Sequence, residues 1–438
     1  MSALAELYAR RGIAVTGCDT GASPPDLERL GIRVLHGHDP SHVEGSSEIV
    51  VTSAVPRGHP ELERARQLGI PVTRRAEALG RAVSTGRLVG VAGTHGKTTT
   101  TVMTTQALNA AGLDPTGIVG GRVGAWNGNL STGGEELFVV EADEYDRSFH
   151  ALAPTVAVVT NMEADHLDIY PGGIDEIREA FAQFVRGARV IVLCADDRGA
   201  ASIPTPSSAE VIRYGTSSDD ARLVATAIES VNGGSRYDCF YDGQKLGDVE
   251  LAVPGMHNVR NSLAAIASGL ALGVTLPSMR SGLASFTGVE RRFQRIGEAR
   301  GVTIVDDYAH HPTEIEATLQ AARTAFAGRR IVAAFQPHLY SRTRDFYPEF
   351  AAALGRADVV FLCDLYPARE QPMEGVSSGL IAERMREQGK PPAWEGPRDI
   401  VADAIASRAR PDDVVLTIGA GDITRTGPEL LTILERGS

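Results

Sequence analysis

Lysine is nearly absent from this chain: of its 43 lysine and arginine residues only Lys97, Lys245 and Lys390 are lysines. A lysine here is therefore seldom ordinary surface charge. Cysteine is scarce too, since Cys18, Cys194, Cys239 and Cys363 lie far apart with no C-x-x-C pair. That excludes a zinc ribbon and argues against a disulfide scaffold. No apolar run reaches membrane-spanning length, and the first residues lack the basic-then-apolar order of a signal peptide, so a cytoplasmic location is expected. There is no internal repeat and no low-complexity tract. Positive charge is outweighed, with a net charge of −12. A general nucleic-acid or anionic-membrane surface is thereby disfavoured, and any anionic ligand must be met by local clusters. What remains is the composition of a folded globular protein, 43% hydrophobic and 22% charged over 438 residues, a length that accommodates about three domains of ~150 residues.

Lys97 lies in the stretch from Arg87 to Met103, R-L-V-G-V-A-G-T-H-G-K-T-T-T-T-V-M. Leu88 to Ala92 is a small apolar run suited to a buried parallel strand, Gly93 to Gly96 is a glycine-bounded turn, and Thr98 opens a helix-compatible segment. Glycines let a backbone approach a polyphosphate, while successive N–H groups and a helix N-terminus supply positive partial charge. Gly93, Thr94, His95, Gly96, Lys97, Thr98 and Thr99 are thus the expected nucleotide-binding residues, with Lys97 reaching the β- and γ-phosphates and the Thr98 hydroxyl placed for Mg²⁺. Two residues separate the glycines where the general P-loop has four, so this is a shortened variant. The plainer alternative is an ordinary glycine turn before a helix; strand, lysine and hydroxyl together favour a nucleotide.

Three α/β units follow along the chain. Residues 1–84 read as a small Rossmann-like unit: a helix from Ala3 to Arg11, a strand from Ile13 to Thr16 leading to Gly17-Cys18-Asp19, and a strand from Ile49 to Thr52 leading to Ser53. Asp19 and Ser53, at these strand ends, are candidate substrate contacts. An acid there suits a ribose or base hydroxyl and is equally a common strand terminator. A nucleotide-binding unit of this type starts with a strand and a glycine loop, whereas this chain opens on a helix, so that first strand and loop are expected to be missing.

Residues 85–294 carry the P-loop on a central parallel sheet. Leu137 to Val140 runs into Glu141-Ala142-Asp143-Glu144-Tyr145-Asp146, Val156 to Thr160 into Asn161-Met162-Glu163-Ala164-Asp165-His166, and Val190 to Cys194 into Asp196-Asp197. Strands that each discharge polar residues at one edge make a common active-site rim. Four acids in six residues repel one another unless solvated or joined by a cation, and Glu141 is the expected Mg²⁺ ligand. His166, just past a rim strand, is a second candidate. Asn258 and Asn261 share a face of the helix that Gly255-Met256-His257 opens; their amides suit a base edge, or serve merely as capping groups.

Residues 295–438 read as a second Rossmann-like unit, with strands at Thr303 to Val305, Ile331 to Phe335, Val359 to Leu362 and Val414 to Ile418. The carboxyl ends carry Asp306-Asp307-Tyr308-Ala309-His310-His311-Pro312-Thr313-Glu314 and Gln336-Pro337-His338-Leu339-Tyr340-Ser341-Arg342-Thr343-Arg344. Ligands of open parallel sheets bind at such edges. Pro312-Thr313-Glu314 also suits a helix start.

Seven motifs, G-T-H-G-K-T-T, E-A-D-E-Y-D-R-S-F, N-M-E-A-D-H-L-D, G-M-H-N-V-R-N, R-R-F, D-D-Y-A-H-H-P-T-E and Q-P-H-L-Y-S-R-T-R, in this order across nearly the whole chain, resemble the Mur ligase family, and within it the alanine-adding branch. The resemblance implies a three-domain enzyme: a UDP-sugar domain, an ATPase domain and an amino-acid domain. The implied reaction uses ATP to join the lactyl carboxylate of UDP-N-acetylmuramate to the amine of L-alanine through an acyl phosphate, releasing ADP and phosphate, in peptidoglycan precursor synthesis. It implies Mg²⁺ as one or two ions, with Mn²⁺ able to substitute. The roles carried over are Lys97 and Thr98 on the γ-phosphate and metal, Glu141 and His166 as metal ligands, Arg292 on phosphate, Asp307 on the nucleotide, Asn258 and Asn261 at adenine, and Arg342 with His310 and Tyr308 at the alanine carboxylate. Leu339 stands where many relatives have arginine, which places more of the carboxylate's recognition on Arg342. No lysine lies between Lys97 and Lys245, as expected in a branch without a carbamylated lysine. The rival within the family is a recycling ligase that attaches a tripeptide to the same nucleotide sugar; outside it, a P-loop NTPase or phosphotransferase. Neither nucleic acid nor membrane is an expected partner, and the sequence carries no signal of oligomeric state.

Overall fold

The apolar run after Arg87 forms the strand Arg87–Ala92, buried along its last five residues, in the interior of a ten-stranded sheet. In the computed structural model, which describes residues 1–21, 25–56, 58–165, 167, 169–368 and 370–436, the chain divides into two units. The first is Met1–Ile228, Tyr237–Glu250 and Val259–Phe286; the second is Glu229–Arg236, Leu251–Asn258 and Thr287–Ser438.

The first unit holds the P-loop. Around Arg87–Ala92 the strands run in parallel, with Val156–Val159 on one side and Leu137–Glu141 on the other, then Val190–Cys194 and Glu210–Gly215 beyond the former and Thr116–Val123 beyond the latter. Parallel strands buried on both faces demand continuous aliphatic runs, which Val156–Val159 and Val190–Cys194 supply. In the register Val91 sits opposite Glu141 and Ala92 opposite Val159, so three carboxyl ends finish level. The helix Lys97–Ala110 begins directly after the glycine turn; its threonines are buried, and Thr101, Thr104 and Thr105 return their hydroxyl protons to carbonyls one turn back. That internal satisfaction lets a threonine-rich helix be buried without orphaned hydroxyls at those positions.

The first 84 residues form two short parallel pairs, Thr16–Asp19 with Arg33–His36 and Ile49–Val51 with Val72–Arg74. The expected strand from Ile13 to Thr16 is displaced: pairing starts at Thr16 opposite Arg33, Ile13 is exposed, and Cys18 and Asp19 belong to the strand itself. The opening helix is Ser2–Arg10. No helix among the described residues is long and apolar enough to cross a membrane.

The second unit is built on a six-stranded sheet in the order Gln294–Ala299, Val302–Asp307, Asp413–Ile418, Arg330–Phe335, Val359–Cys363, Trp394–Gly396. All neighbours are parallel except the first pair. Asp307 and Phe335 both pair with Ile418, so these three strands also end together. Asp306 and Asp307 are the last residues of a strand rather than of a loop, both buried.

Candidate active site

Two glycines shape the phosphate loop. Gly93 has φ 140° and a Cβ there would lie 2.1 Å from the Thr160 hydroxyl; Gly96 has φ 78° and a Cβ would lie 2.7 Å from Asn261 Oδ1. Neither position tolerates a side chain. The loop is held from the next strand's end: Thr160 Oγ1 donates to His95 O (2.6 Å), Asn161 Oδ1 accepts the His95 N–H (2.7 Å), Asn161 Nδ2 donates to His95 O (3.0 Å), and Thr94 Oγ1 accepts the Glu163 N–H (2.9 Å). Thr160 and Asn161, just past Val156–Val159, therefore brace the loop through its His95 backbone.

Lys97 is nearly buried and donates to Gly93 O (2.7 Å) and Thr94 O (3.3 Å), and to both oxygens of Glu144 at 2.9 and 2.7 Å. Burial works against the ammonium, but the charges of Glu144, Asp143 and Glu141 outweigh it and hold the Lys97 pKa above its ordinary value. Burial acts on Glu144 in the opposite sense, pushing its carboxyl up against the pull of Lys97. Tyr170 fastens this corner by donating to Glu144 O at 2.6 Å. Glu144 was not singled out in the sequence; the signal was there as the fourth residue of E-A-D-E, the only acid of that run buried against the single lysine of the unit's loop.

The Thr98 hydroxyl donates to Glu141 Oε1 at 2.8 Å, and Glu141 Oε2 accepts the Gly120 N–H at 2.7 Å. A hydroxyl and a carboxylate oxygen about 2.9 Å apart match neighbouring vertices of an octahedron with ~2.1 Å bonds, so the pair fits Mg²⁺. His166 lies outside the described residues. Asp196 and Asp197 are structural: Asp196 accepts N–H groups of Thr216, Ser217 and Ser218 and pairs with Arg260 at 3.0 Å, while Asp197 accepts from Met162 and Ala200. Of the two helix amides, Asn258 Nδ2 donates to Pro254 O at 2.7 Å and Asn261 lies against Gly96; both are buried. Asp19 and Ser53 are exposed at the ends of their short strands.

In the second unit, the turn carrying Arg291, Arg292 and Phe293 is unusual, with positive φ at Arg291 (62°) and Phe293 (48°). Asp307 holds it, accepting the Phe293 N–H at 2.8 Å on one oxygen and the Ala309 N–H at 2.8 Å on the other. Burial pushes the Asp307 carboxyl up to about 6, only partly countered by Arg292 and these two N–H groups. Arg291 and Arg292 both lie over the Tyr308 ring, at 4.8 and 5.1 Å from its centroid. Arg292 also pairs with Glu314 at 3.4 Å, and Glu314 accepts the His310 N–H at 2.9 Å. His310, His338 and Tyr366 continue as a series of ring contacts. The structure thus brings Arg292, Asp307, Tyr308 and His310 together. Arg342 is buried in the first turn of the helix Tyr340–Leu354, which begins after Leu339 at φ 73°.

Models of the Mur ligase family match in series: the family's catalytic-domain model over residues 1–87, the middle-domain model over 91–269 and the glutamate ligase domain model over 291–421. The chain is 43% identical over 442 residues to a protein of Salinibacter ruber named UDP-N-acetylmuramate–L-alanine ligase, covering 99% of this chain and 93% of that one. Among solved structures, the UDP-N-acetylmuramate–alanine ligase of Thermotoga maritima superposes with a TM-score of 0.84 at 27% identity, over 100% of this chain and 97% of that one. A murein peptide ligase of Psychrobacter arcticus gives 0.71 at 25% identity, over 99% and 96%. With a phosphate loop, a hydroxyl–carboxylate pair beside it and full-length likeness of this degree, the chain belongs to the Mur ligase family.

Proposed function

We propose that this chain joins L-alanine to the lactyl carboxylate of UDP-N-acetylmuramate with cleavage of ATP, in the cytoplasmic synthesis of the peptidoglycan precursor. The observation that carries the reading is the likeness, at 43% identity and nearly full length, to a ligase named for that reaction. A free carboxylate is a poor electrophile at neutral pH, so an amide bond requires its conversion to an acyl phosphate; the alanine amine then attacks the carbonyl and phosphate leaves. Phosphoryl transfer of this kind rests on positioning and charge neutralisation.

The residues divide that work. The loop from Gly93 to Thr99 receives the polyphosphate on its N–H groups, and Lys97 exchanges part of its contact with Glu144 for phosphate oxygens. Thr98 and Glu141 would hold Mg²⁺, joined in this reading by His166. When bound, the ion neutralises charge on the phosphate oxygens. Arg292, stacked on Tyr308 and braced by Glu314, is assigned to phosphate; Asp307 keeps its turn in shape and is assigned to the nucleotide side. Asn258 and Asn261 are assigned to adenine, Asp19 and Ser53 to the UDP-sugar, and Arg342 with His310 and Tyr308 to the alanine carboxylate, for which guanidinium geometry is suited.

A product assay offering L-alanine or the tripeptide to the purified chain with ATP, Mg²⁺ and UDP-N-acetylmuramate tests the assignment. Amide product from L-alanine is expected. Product from the tripeptide alone would replace this reading with the recycling reaction.

A further inference from the structure

Away from the phosphate loop, four side chains converge on one buried carboxylate. Glu61 sits in the first turn of the helix Pro60–Leu68 and is 6% exposed. Its Oε1 receives His42 Nδ1 at 2.9 Å and the Asp39 N–H at 3.2 Å; its Oε2 receives Cys18 Sγ at 3.1 Å. His38 Nδ1 and His59 Nδ1 stand 3.5 and 3.8 Å from the same Oε2, their rings edge-to-face with centroids 4.6 Å apart. Three imidazoles all turn Nδ1 inward. The donor atoms of His38, His59 and Glu61 lie within 4.8 Å of one another, and so do those of Cys18, His42 and Glu61.

The two halves of this cluster are not equivalent. His42 and Cys18 are at hydrogen-bond distance from Glu61 and need nothing more. His38 and His59 are too far for a good hydrogen bond to Oε2, and His59 Nδ1 is buried with no hydrogen-bond partner among the described residues. A buried ring nitrogen left so is costly as a neutral arrangement. The 3.5 Å separation falls within, and the 3.8 Å separation lies slightly beyond, the ligand–ligand edges of roughly 3.3–3.6 Å of a tetrahedral ion with nitrogen and oxygen ligands at ~2.0–2.2 Å.

We propose that His38, His59 and Glu61 bind a zinc-class divalent cation, with His42 and Cys18 orienting the Glu61 carboxylate from its other side. Imidazole nitrogen and carboxylate oxygen are the donors a borderline first-row dication prefers, and a carboxylate already oriented by neighbouring donors is the usual support of such a site. Three protein ligands leave one position for water. The ion would add a further tie between the segment after Arg33–His36 and the helix Pro60–Leu68, beside the contacts that Asp39 and His42 already make to Glu61. The site needs neither nucleotide nor amino acid.

The test is titration of the purified full-length chain, free of nucleotide and Mg²⁺, with Co²⁺ followed by visible absorption, and with Zn²⁺ followed by thermal unfolding. One equivalent of tetrahedral Co²⁺ and a rise in Tm of several degrees with Zn²⁺ are expected. Both should persist in Glu141→Gln and vanish in His38→Ala/His59→Ala. Should the double variant fold poorly, His59→Gln serves, because His59 makes no side-chain capping bond to its helix; it should weaken Co²⁺ binding at least tenfold. Absence of Co²⁺ binding by the unsubstituted chain, or binding unchanged in His59→Gln, would overturn the proposal, and neither outcome bears on the ligase reading.

Discussion

At the scale of single residues, the chemistry turns on how buried charges are matched. Lys97 and Glu144 are 14% and 5% exposed at the side chain, so their contact is scarcely screened. Breaking a buried pair from one side costs more than the pair contributes, typically about 3–5 kcal/mol. Because Lys97 keeps the carbonyls of Gly93 and Thr94, Glu144→Ala should fall at the lower end, about 3 kcal/mol by chemical denaturation. A polyphosphate restores negative charge beside the stranded ammonium, so ATP with Mg²⁺ should raise the Tm of Glu144→Ala more than that of the unsubstituted chain. An equal rise would mean that Lys97 does not receive phosphate. Asp307 gives a second test, in pH. Its folded-state value is raised to about 6 from the ordinary 3.8, chiefly by burial. The folded form therefore favours the proton, and the associated stability is present below about pH 4 and is lost as pH rises through about 6. Unfolding free energy should decline across that window by an amount on the order of 3 kcal/mol. Asp307→Asn, whatever its own stability, should lose that slope; an unchanged slope would assign the titration elsewhere.

Elements show which parts of this arrangement could be read in advance. Val156–Val159 and Val190–Cys194 were legible because strands buried on both faces must be written as unbroken aliphatic runs. The helix Pro312–Ala325 was legible from proline in its first turn and Glu314 two residues on. The strands Leu223–Val231, Gly234–Tyr241 and Gln244–Leu251 were not, since they lie at one end of the sheet with exposed polar residues interrupting any period. The apolar run places Asp306 and Asp307 past their strand; pairing to Thr417 and Ile418 keeps them inside it, with the Thr417 and Thr424 hydroxyls satisfying Asp306. The residues proposed as metal and phosphate ligands stand out as residue types, but Glu144's pairing with Lys97 depends on a chain fold between them that no local pattern encodes. Glu314 shows an element end doing two tasks. It accepts N–H groups at the helix start and pairs with Arg292. Glu314→Gln retains the capping acceptor and removes the charge, so it should cost less than about 1 kcal/mol of stability. Arg292 would lose its brace, and kcat/KM should fall about 10–100-fold. A large loss of stability with unaltered kinetics would make Glu314 a cap and nothing more.

For the molecule as a whole, the decisive property is coupling between ATP cleavage and bond formation. The chain carries a net charge of −12, so its field as a whole does not draw in ATP or a nucleotide sugar; affinity must come from local donors such as those around Gly93 to Thr99. A simple NTPase or phosphotransferase needs only such donors, and should release phosphate without an amino acid. A ligase needs an acceptor carboxylate before phosphoryl transfer has anywhere to go, and an amine before the acyl phosphate is discharged. Steady-state phosphate release should therefore require UDP-N-acetylmuramate and L-alanine together and match amide formation one for one. With the nucleotide sugar alone, a single burst of ADP no larger than the enzyme concentration is expected, because the acyl phosphate stays on the enzyme awaiting an amine. Sustained release at an equal rate without either substrate would remove the ligase mechanism, however close the likeness to its relatives.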